Sequence, residues 1–425
     1  MKKVRIALLG LGTVGGGVYK LLEMRKDEMP ERAGVEIEIA KILVRNVEKA
    51  AKKADRSLLT TDWQEIIGDD SISLIIEVMG GLEPAGTYIM EALKAGRHVV
   101  SANKDLIAAR GGELLKTAAE HHCDFLFEAS VAGGIPILRP LRQCLMGNEI
   151  TDVMGIVNGT TNFILTKMTD EGMEFSDALA VAQELGYAEA DPTADVEGHD
   201  AGRKMAIMAS IAFHSRVTFA DVYTEGISKI SAKDIKYARE LGCDIKLLGV
   251  ARNTEVGIEV RVHPMLIPSS PPLASVKDAY NAVFVHGDAV DDTMFYGRGA
   301  GEMPTASAVV GDVIDVLRNM VWGCTGRIGS SCYRELPIKS MGEIESKYFM
   351  RLHAQDKPGV LATIAAVFGN NGVSIAQLIQ KNTQDGFAEI AVMTDLVKEC
   401  CMKDAMAVLN GMSTIQKISS VIRVL

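Results

Sequence analysis

The segment Gly10-Leu11-Gly12-Thr13-Val14-Gly15 limits the fold more than any other in the chain. It follows the apolar run Val4–Leu9 and opens the helical pattern Val14–Met24. A G-x-G-x-x-G loop in that context is the phosphate turn of a dinucleotide-binding βαβ unit. Gly10 allows the tight turn, Gly12 lets backbone approach a pyrophosphate, and Gly15 lets helix pack on strand. Thr13 and Val14 then begin the helix, whose unpaired N–H groups face the phosphates. A glycine-rich turn without ligand is the plainer alternative.

The surrounding pattern agrees. Val35–Val44, Ser73–Val78, His98–Ser101 and Asp124–Ala129 read as further strands, and Trp63–Ile67, Ala85–Ala95 and Gly112–His121 as helices. Strand and helix in alternation predict an α/β fold, a Rossmann-like parallel sheet covered on both faces. From about Ile150 the strands are grouped instead. Helices are predicted at Glu174–Leu185, Asp195–Phe213 and Pro304–Arg318, and strands at Ile245–Val250, Gly257–Val262, Ala282–Val285 and Thr293–Tyr296. Pro264, Pro268, Pro271 and Pro272 predict a loop there. Strands grouped in this way predict an α+β domain. After a linker, the order strand, helix, strand, strand, helix, strand from Tyr348 to Val424 predicts a ferredoxin-like βαββαβ domain. The expected division is 1–135, 136–330, linker 331–346 and 347–425.

Composition excludes several functions. The 45 basic and 55 acidic residues leave a net charge of −10, which disfavours a broad grip on nucleic acid or an anionic membrane. Seven cysteines without a C-x-x-C pair suggest neither a disulfide framework nor a zinc site, and read as reduced thiols of a cytoplasmic protein. Met1-Lys2-Lys3 leads into an apolar run too short for a secretory signal, and no stretch reaches the 18 or so apolar residues of a membrane span.

In an open α/β sheet, ligands lie beyond the carboxyl ends of the strands. Arg45 follows the second strand, where NAD-selective sites usually carry an acid. A cation there favours the 2′-phosphate of NADP, with NAD still possible. A solvated arginine is the alternative, and Lys41 or Lys49 could serve equally. Met79-Gly80-Gly81 ends the third strand, with small residues for a nicotinamide ring to lie against. Ser101-Ala102-Asn103-Lys104 ends the next, and Lys104 is the ammonium placed to reach substrate or cofactor, unless it is simply solvated.

The densest cluster runs from Tyr187 to Lys204. If a helix begins near Asp195, then Asp200 and Lys204 share a face. Lys204 leads into Met205-Ala206-Ile207, so it should be partly desolvated, which favours the neutral amine and proton transfer. Glu189 and Asp195 could grip a substrate ammonium. A solvated acidic loop with a surface ion pair is the alternative, and His199 reads as solvated.

These residues carry a resemblance. Gly-Leu-Gly-Thr-Val-Gly at 10–15, Ser-Ala-Asn-Lys at 101–104, Glu-Ala-Ser-Val-Ala-Gly-Gly-Ile-Pro at 128–136 and Asn-Gly-Thr-Thr-Asn at 158–162 resemble the homoserine dehydrogenase family. So does Asp-Pro-x-x-Asp-Val-x-Gly-x-Asp-x-x-Arg-Lys, present without a gap from Asp191 to Lys204. The resemblance implies reversible NAD(P)-dependent conversion of L-homoserine and L-aspartate 4-semialdehyde, on the route to threonine, methionine and isoleucine. It gives Lys204 the proton transfer, Lys104 an electrostatic supporting role, and Glu189, Asp195 and Asp200 the substrate. It also implies a structural sodium site at Glu128, Val131, Gly133 and Ile135, largely through backbone carbonyls. The last domain resembles an ACT domain, a regulatory amino-acid-binding module, at Asp356, Gly359 and Val360 and at Asn371. It implies feedback control, with L-threonine as effector, and a homodimer or homotetramer, because such domains pair. Two rivals are aspartate-semialdehyde dehydrogenase, which needs a nucleophilic cysteine, and a non-catalytic sensor binding dinucleotide and amino acid.

Overall fold

The structure is a computed structural model of the 425-residue chain. Residues 3–270, 272–327, 332–384 and 386–425 are described; Pro271 and Ser331 of the reading above lie outside them. In chain order the strands are β1 (Lys3–Leu9), β2 (Glu36–Leu43), β3 (Leu59–Thr60), β4 (Ile72–Glu77), β5 (His98–Ser101), β6 (Phe125–Leu126), β7 (Ile150–Ile156), β8 (Tyr223–Thr224) and β9 (Cys243–Thr254). They continue as β10 (Gly257–Pro268), β11 (Tyr280–Gly287), β12 (Asp291–Arg298), β13 (Glu345–Gln355), β14 (Ile375–Gln384), β15 (Phe387–Thr394), β16 (Val397–Lys398) and β17 (Ile415–Val424). The chain forms two compact units. One comprises Met1–Val153, Arg203–Val222 and Tyr280–Leu336, the other Met154–Gly202, Tyr223–Ala279 and Pro337–Leu425.

The first unit holds a parallel six-stranded sheet of order β3-β2-β1-β4-β5-β6. Order reverses beside β1, and such a switch point opens a crevice at the carboxyl ends. Ile6, Leu8, Leu74 and Ile76 are buried on strands covered from both faces. The long helix Glu302–Trp322, far along the chain, returns to this core and packs Val309, Val313, Val316 and Leu317 against it. β11 and β12 form an antiparallel hairpin.

The second unit carries the order β9-β10-β17-β13-β15-β14, with β8 beside β10 and β16 beside β13. From β13 to β17 the order is βαββαβ, with helices Val360–Asn370 and Glu399–Asn410. β13, β14, β15 and β17 pair antiparallel, in the predicted ferredoxin-like arrangement. Its core is Tyr348, Met350, Leu352, Ile364, Phe368, Val392 and Met402.

Several boundaries differ from expectation for physical reasons. The helix predicted over Asp195–Phe213 is two helices, Thr193–Val196 and His199–Ala212. Gly198 takes φ +81° between them, a left-handed conformation that ends the first. The helix expected from Gly112 starts at Lys104, because the Asn103 side chain caps it by accepting from the Leu106 N–H. The expected strand Asp124–Ala129 shrinks to β6, since Glu128–Ser130 form a 3₁₀ turn. Pro264 is not in a loop. It lies inside β10, between the residues paired to β8 (Arg261, Val262) and those paired to β17 (Met265, Leu266), where a missing N–H costs no ladder bond. Among the described residues no helix is long and apolar enough to cross a membrane.

Leu317 is fully buried in the first core. Leu317→Ala should therefore destabilise the protein by about 2–5 kcal/mol, read as a lower midpoint in chemical denaturation. An unchanged midpoint would contradict the placement of this helix.

Candidate active site

A cavity of about 770 Å³ opens at the carboxyl ends of β1, β2 and β4. Gly10, Gly12, Thr13, Arg45 and Gly80 line it together, as the sequence reading requires of a dinucleotide cradle. The helix Thr13–Met24 begins there with Gly12 as its cap residue, no side-chain cap and no acid in its first turn. Its first N–H groups are thus available to phosphate oxygens. A Cβ at Gly15 would collide with the Gly10 carbonyl oxygen, so helix and strand approach at a distance only glycine permits. At Gly12 a Cβ would meet no protein atom within 4 Å. The protein has no packing reason for glycine at that position; an approaching ligand supplies one. Val14 follows, half-buried, in the first helical turn.

Among the described residues no aspartate or glutamate lines this cavity, whereas Lys49 and Lys53 join Arg45 on its wall. Lys41 is spent elsewhere, on Glu65 at 2.9 Å. Ser101 is fully buried and does not line the cavity. Its hydroxyl donates to Glu77 at 2.7 Å, and Glu77 also accepts from the backbone N–H groups of Met79 and Gly80 at 2.8 and 3.3 Å. Burial raises the Glu77 pKa, opposed by those donors. Asn103 donates to the Gly81 carbonyl at 2.7 Å. Sequence reasoning missed Glu77, Asn103 and Lys53, although a lone acid ending an otherwise apolar strand was a usable signal.

Lys104 and Lys204 both belong to the first unit and are half-buried. Lys104 is the first residue of its helix. The neighbours of the two lysines join them: Arg203 Nε meets Asp105 Oδ1 at 3.0 Å, and the Arg203 guanidinium stacks over Phe219 at 5.0 Å. Beyond Lys204 the helix buries Met205 and Ala206. In the second unit, Asn158 gathers two of the predicted carboxylates. Its amide donates to Asp195 Oδ1 at 2.7 Å and to Asp200 Oδ2 at 2.9 Å. Its own oxygen accepts from the Thr161 N–H at 2.8 Å, so the amide is fixed at a helix start. Asp200 is buried and Asp195 half-buried. Glu189 is exposed on the preceding loop, its carbonyl accepting from Gln183.

Glu128 is buried, and its carboxylate accepts three backbone N–H groups, from Ile137, Leu138 and Arg139, at 2.6 to 2.8 Å. Burial raises its pKa, the three donors oppose this, and its backbone N–H donates to Asp312. Asp312 itself is pushed up to about 7 by burial and by Glu128. Between Val131 and Ile135 the chain turns through two left-handed residues, Ala132 and Gly133. With the carboxylate committed to backbone, main-chain carbonyls are the oxygens that this turn can offer a cation. Among the described residues no cluster of three His, Cys, Asp or Glu could hold a metal.

The predicted effector residues lie in the last domain. Asp356 is exposed, with its N–H on the Gly386 carbonyl at 3.0 Å. Gly359 and Val360 begin the helix Val360–Asn370, and Asn371 closes it, so Asp356 and Asn371 stand at its opposite ends.

Gly12→Ala should leave the melting temperature within about 2 °C of wild type while weakening dinucleotide binding at least tenfold, measured by fluorescence titration. Gly15→Ala should lower both. Equal melting losses in the two variants would contradict the open space seen at Gly12.

Comparison with known proteins identifies the family. Residues 136–314 match the homoserine dehydrogenase family, 10–128 its NAD-binding domain and 348–399 the ACT domain. The chain is 45% identical to homoserine dehydrogenase of Bacillus subtilis, covering 100% of this chain and 99% of that one. It is 46% identical to that of Corynebacterium glutamicum, covering 99% and 95%. It superposes on the crystal structure of a homoserine dehydrogenase from Thiobacillus denitrificans with TM-score 0.96 and 43% identity, over 100% of this chain and 99% of that one. A hyperthermophilic archaeal homoserine dehydrogenase in complex with NADPH matches 74% of this chain and 97% of its own, with TM-score 0.64 and 28% identity. These matches show that the chain belongs to the homoserine dehydrogenase family, with an NAD(P)-binding domain and a C-terminal ACT domain.

Proposed function

We propose that the chain interconverts L-homoserine and L-aspartate 4-semialdehyde with NADP preferred over NAD. The observation that carries the cofactor preference is the cavity wall. Arg45, Lys49 and Lys53 line it and, among the described residues, no acid does, so a 2′-phosphate finds cations where a bare ribose would want a carboxylate. Bound dinucleotide supplies the hydride chemistry, and the protein supplies position, charge and the proton.

In the reducing direction the Lys204 ammonium donates its proton to the developing alkoxide; in oxidation the neutral amine takes the alcohol proton. Lys104 adds positive charge beside it, and the Asp105–Arg203 pair sets the two chain segments together. Asp195 and Asp200, drawn together by one amide, hold the substrate ammonium, with Glu189 brought in from its exposed loop. Ser101 acts on the cofactor through Glu77, which shapes the turn at Gly80. A sodium ion, held by carbonyls of Val131, Gly133 and Ile135 in the turn that Glu128 anchors, would stiffen the end of β6. Residues 1–135 thus serve the cofactor, 136–330 the substrate, and 347–425 regulation, with threonine as effector in a cytoplasmic oligomer of threonine, methionine and isoleucine biosynthesis. The match along the full length of catalytic relatives favours this over a sensor without activity.

Lys204→Ala should lower kcat by about 10²–10⁴-fold with little change in dinucleotide affinity. Activity within tenfold of wild type would remove Lys204 from proton transfer. Arg45→Ala should raise KM for NADPH at least tenfold more than KM for NADH in steady-state assays. Equal effects would overturn the 2′-phosphate reading.

A further inference from the structure

Lys246 of β9 belongs to the second unit and is only 5% exposed. Its ammonium donates to the Val276 carbonyl at 2.5 Å and to Asn162 Oδ1 at 3.2 Å, and among the described residues no carboxylate pairs with it. The charges that face it stand further off and have other partners or face solvent. Asp244, two residues before it, accepts from Ser269 at 2.9 Å. Asp170 pairs with Lys277 at 2.9 Å and with Arg239 at 3.2 Å, and Asp278 is exposed. Burial pulls the Lys246 pKa down to about 8; Asp244, Asp170 and Asp278 oppose the fall and Lys277 adds to it. A buried ammonium without a counter-ion is costly, and an apolar side chain would fill this strand position at less cost. Stability of the strand does not account for a lysine here; what the lysine holds does.

It holds the helix Gly159–Glu171 to the segment 276–278. Asn162, also buried, donates to the Val276 and Asp278 carbonyls at 3.3 and 2.9 Å. One turn on, the Thr166 hydroxyl oxygen accepts from the Asp278 N–H at 3.0 Å, and a turn further Asp170 pairs with Lys277. Residues 162, 166 and 170 thus form one stripe at i, i+4 spacing, and Lys246 stands at its buried end.

The first turn of the same helix meets the candidate substrate residues. Asn158, one turn before Asn162, binds Asp195 and Asp200. Thr160 donates to the Tyr187 carbonyl at 2.7 Å, which fixes the loop leading to Glu189. The Asn162 N–H bonds the Asn158 carbonyl at 3.3 Å, so a shift at Asn162 passes directly to Asn158.

We propose that Lys246 is a positioning residue for substrate binding: by clamping Asn162 to Val276 it sets the helix turn from which Asn158 and Thr160 place Asp195, Asp200 and the Glu189 loop. This rests on the assignment of those three carboxylates to the substrate ammonium. The test is steady-state kinetics of the full chain and of its Lys246→Met and Lys246→Gln variants, with KM for L-homoserine, KM for NADP⁺ and kcat measured separately. Thr166 and Asp170 still join helix and segment without the lysine, so both variants should fold. Glutamine keeps a donor at this position and carries the test if Lys246→Met does not fold. Lys246→Met should raise KM for L-homoserine at least tenfold, and Lys246→Gln between about threefold and tenfold. In both, kcat should stay within about threefold and KM for NADP⁺ within twofold of wild type. That split marks lost substrate binding with the proton transfer intact. A KM for L-homoserine within twofold of wild type in either folded variant would overturn the role of Lys246 and leave the reaction standing. So would a loss in kcat and in KM for NADP⁺ as large as that in KM for L-homoserine, the pattern of general structural damage. No turnover of L-homoserine by the wild-type chain would overturn both the reaction and this role.

Discussion

The close approach of Gly15 to the Gly10 carbonyl is the contact on which the rest of the cofactor site depends. It lets the first helix lie against β1 so that its uncapped N–H groups open onto the crevice where strand order reverses. Once that helix is fixed, the other strand ends converge on the same edge. Buried acids then hold the turns that leave those ends. Glu77 ties Met79 and Gly80, and Glu128 ties Ile137 to Arg139. Each costs desolvation, which several backbone donors offset.

A division of labour between charges follows. In the first unit Glu77 and Glu128 bond backbone N–H groups, and among the described residues the charged side chains lining the dinucleotide cradle are the cations Arg45, Lys49 and Lys53. In the second unit, two carboxylates are kept close by sharing one amide. Asn158 gives each of them one hydrogen, which lowers the cost of placing like charges side by side.

Much of this was legible in the sequence, and the limits were physical. The parallel sheet, the ferredoxin-like order and the glycine cradle each rest on local patterning or on spacing along a few residues. Arg45 was singled out because it follows the strand expected to end at Val44, and it lines the cavity with Gly10 and Gly12. Glu77 and Asn103 were missed because most of their partners are backbone N–H and C=O groups, which no residue pattern reveals, and the Ser101 hydroxyl that Glu77 also holds lies 24 residues on. The role of Asn158 was missed because Asp195 and Asp200 lie about forty residues away in the chain. The helix ends were misplaced where one glycine at positive φ or one capping asparagine decides them, as at Gly198 and Asn103. Pro264 misled because a proline reads as a breaker, whereas a strand tolerates it where its neighbour changes.

The central claim is that this member of the family oxidises L-homoserine with a dinucleotide, NADP⁺ in preference to NAD⁺. The measurement that tests it most directly is the initial rate of L-homoserine-dependent reduction of NADP⁺ and of NAD⁺ by the full chain. The account predicts turnover with both, and a higher kcat/KM for NADP⁺. No homoserine-dependent reduction of either, by protein that still binds the dinucleotide, would contradict it.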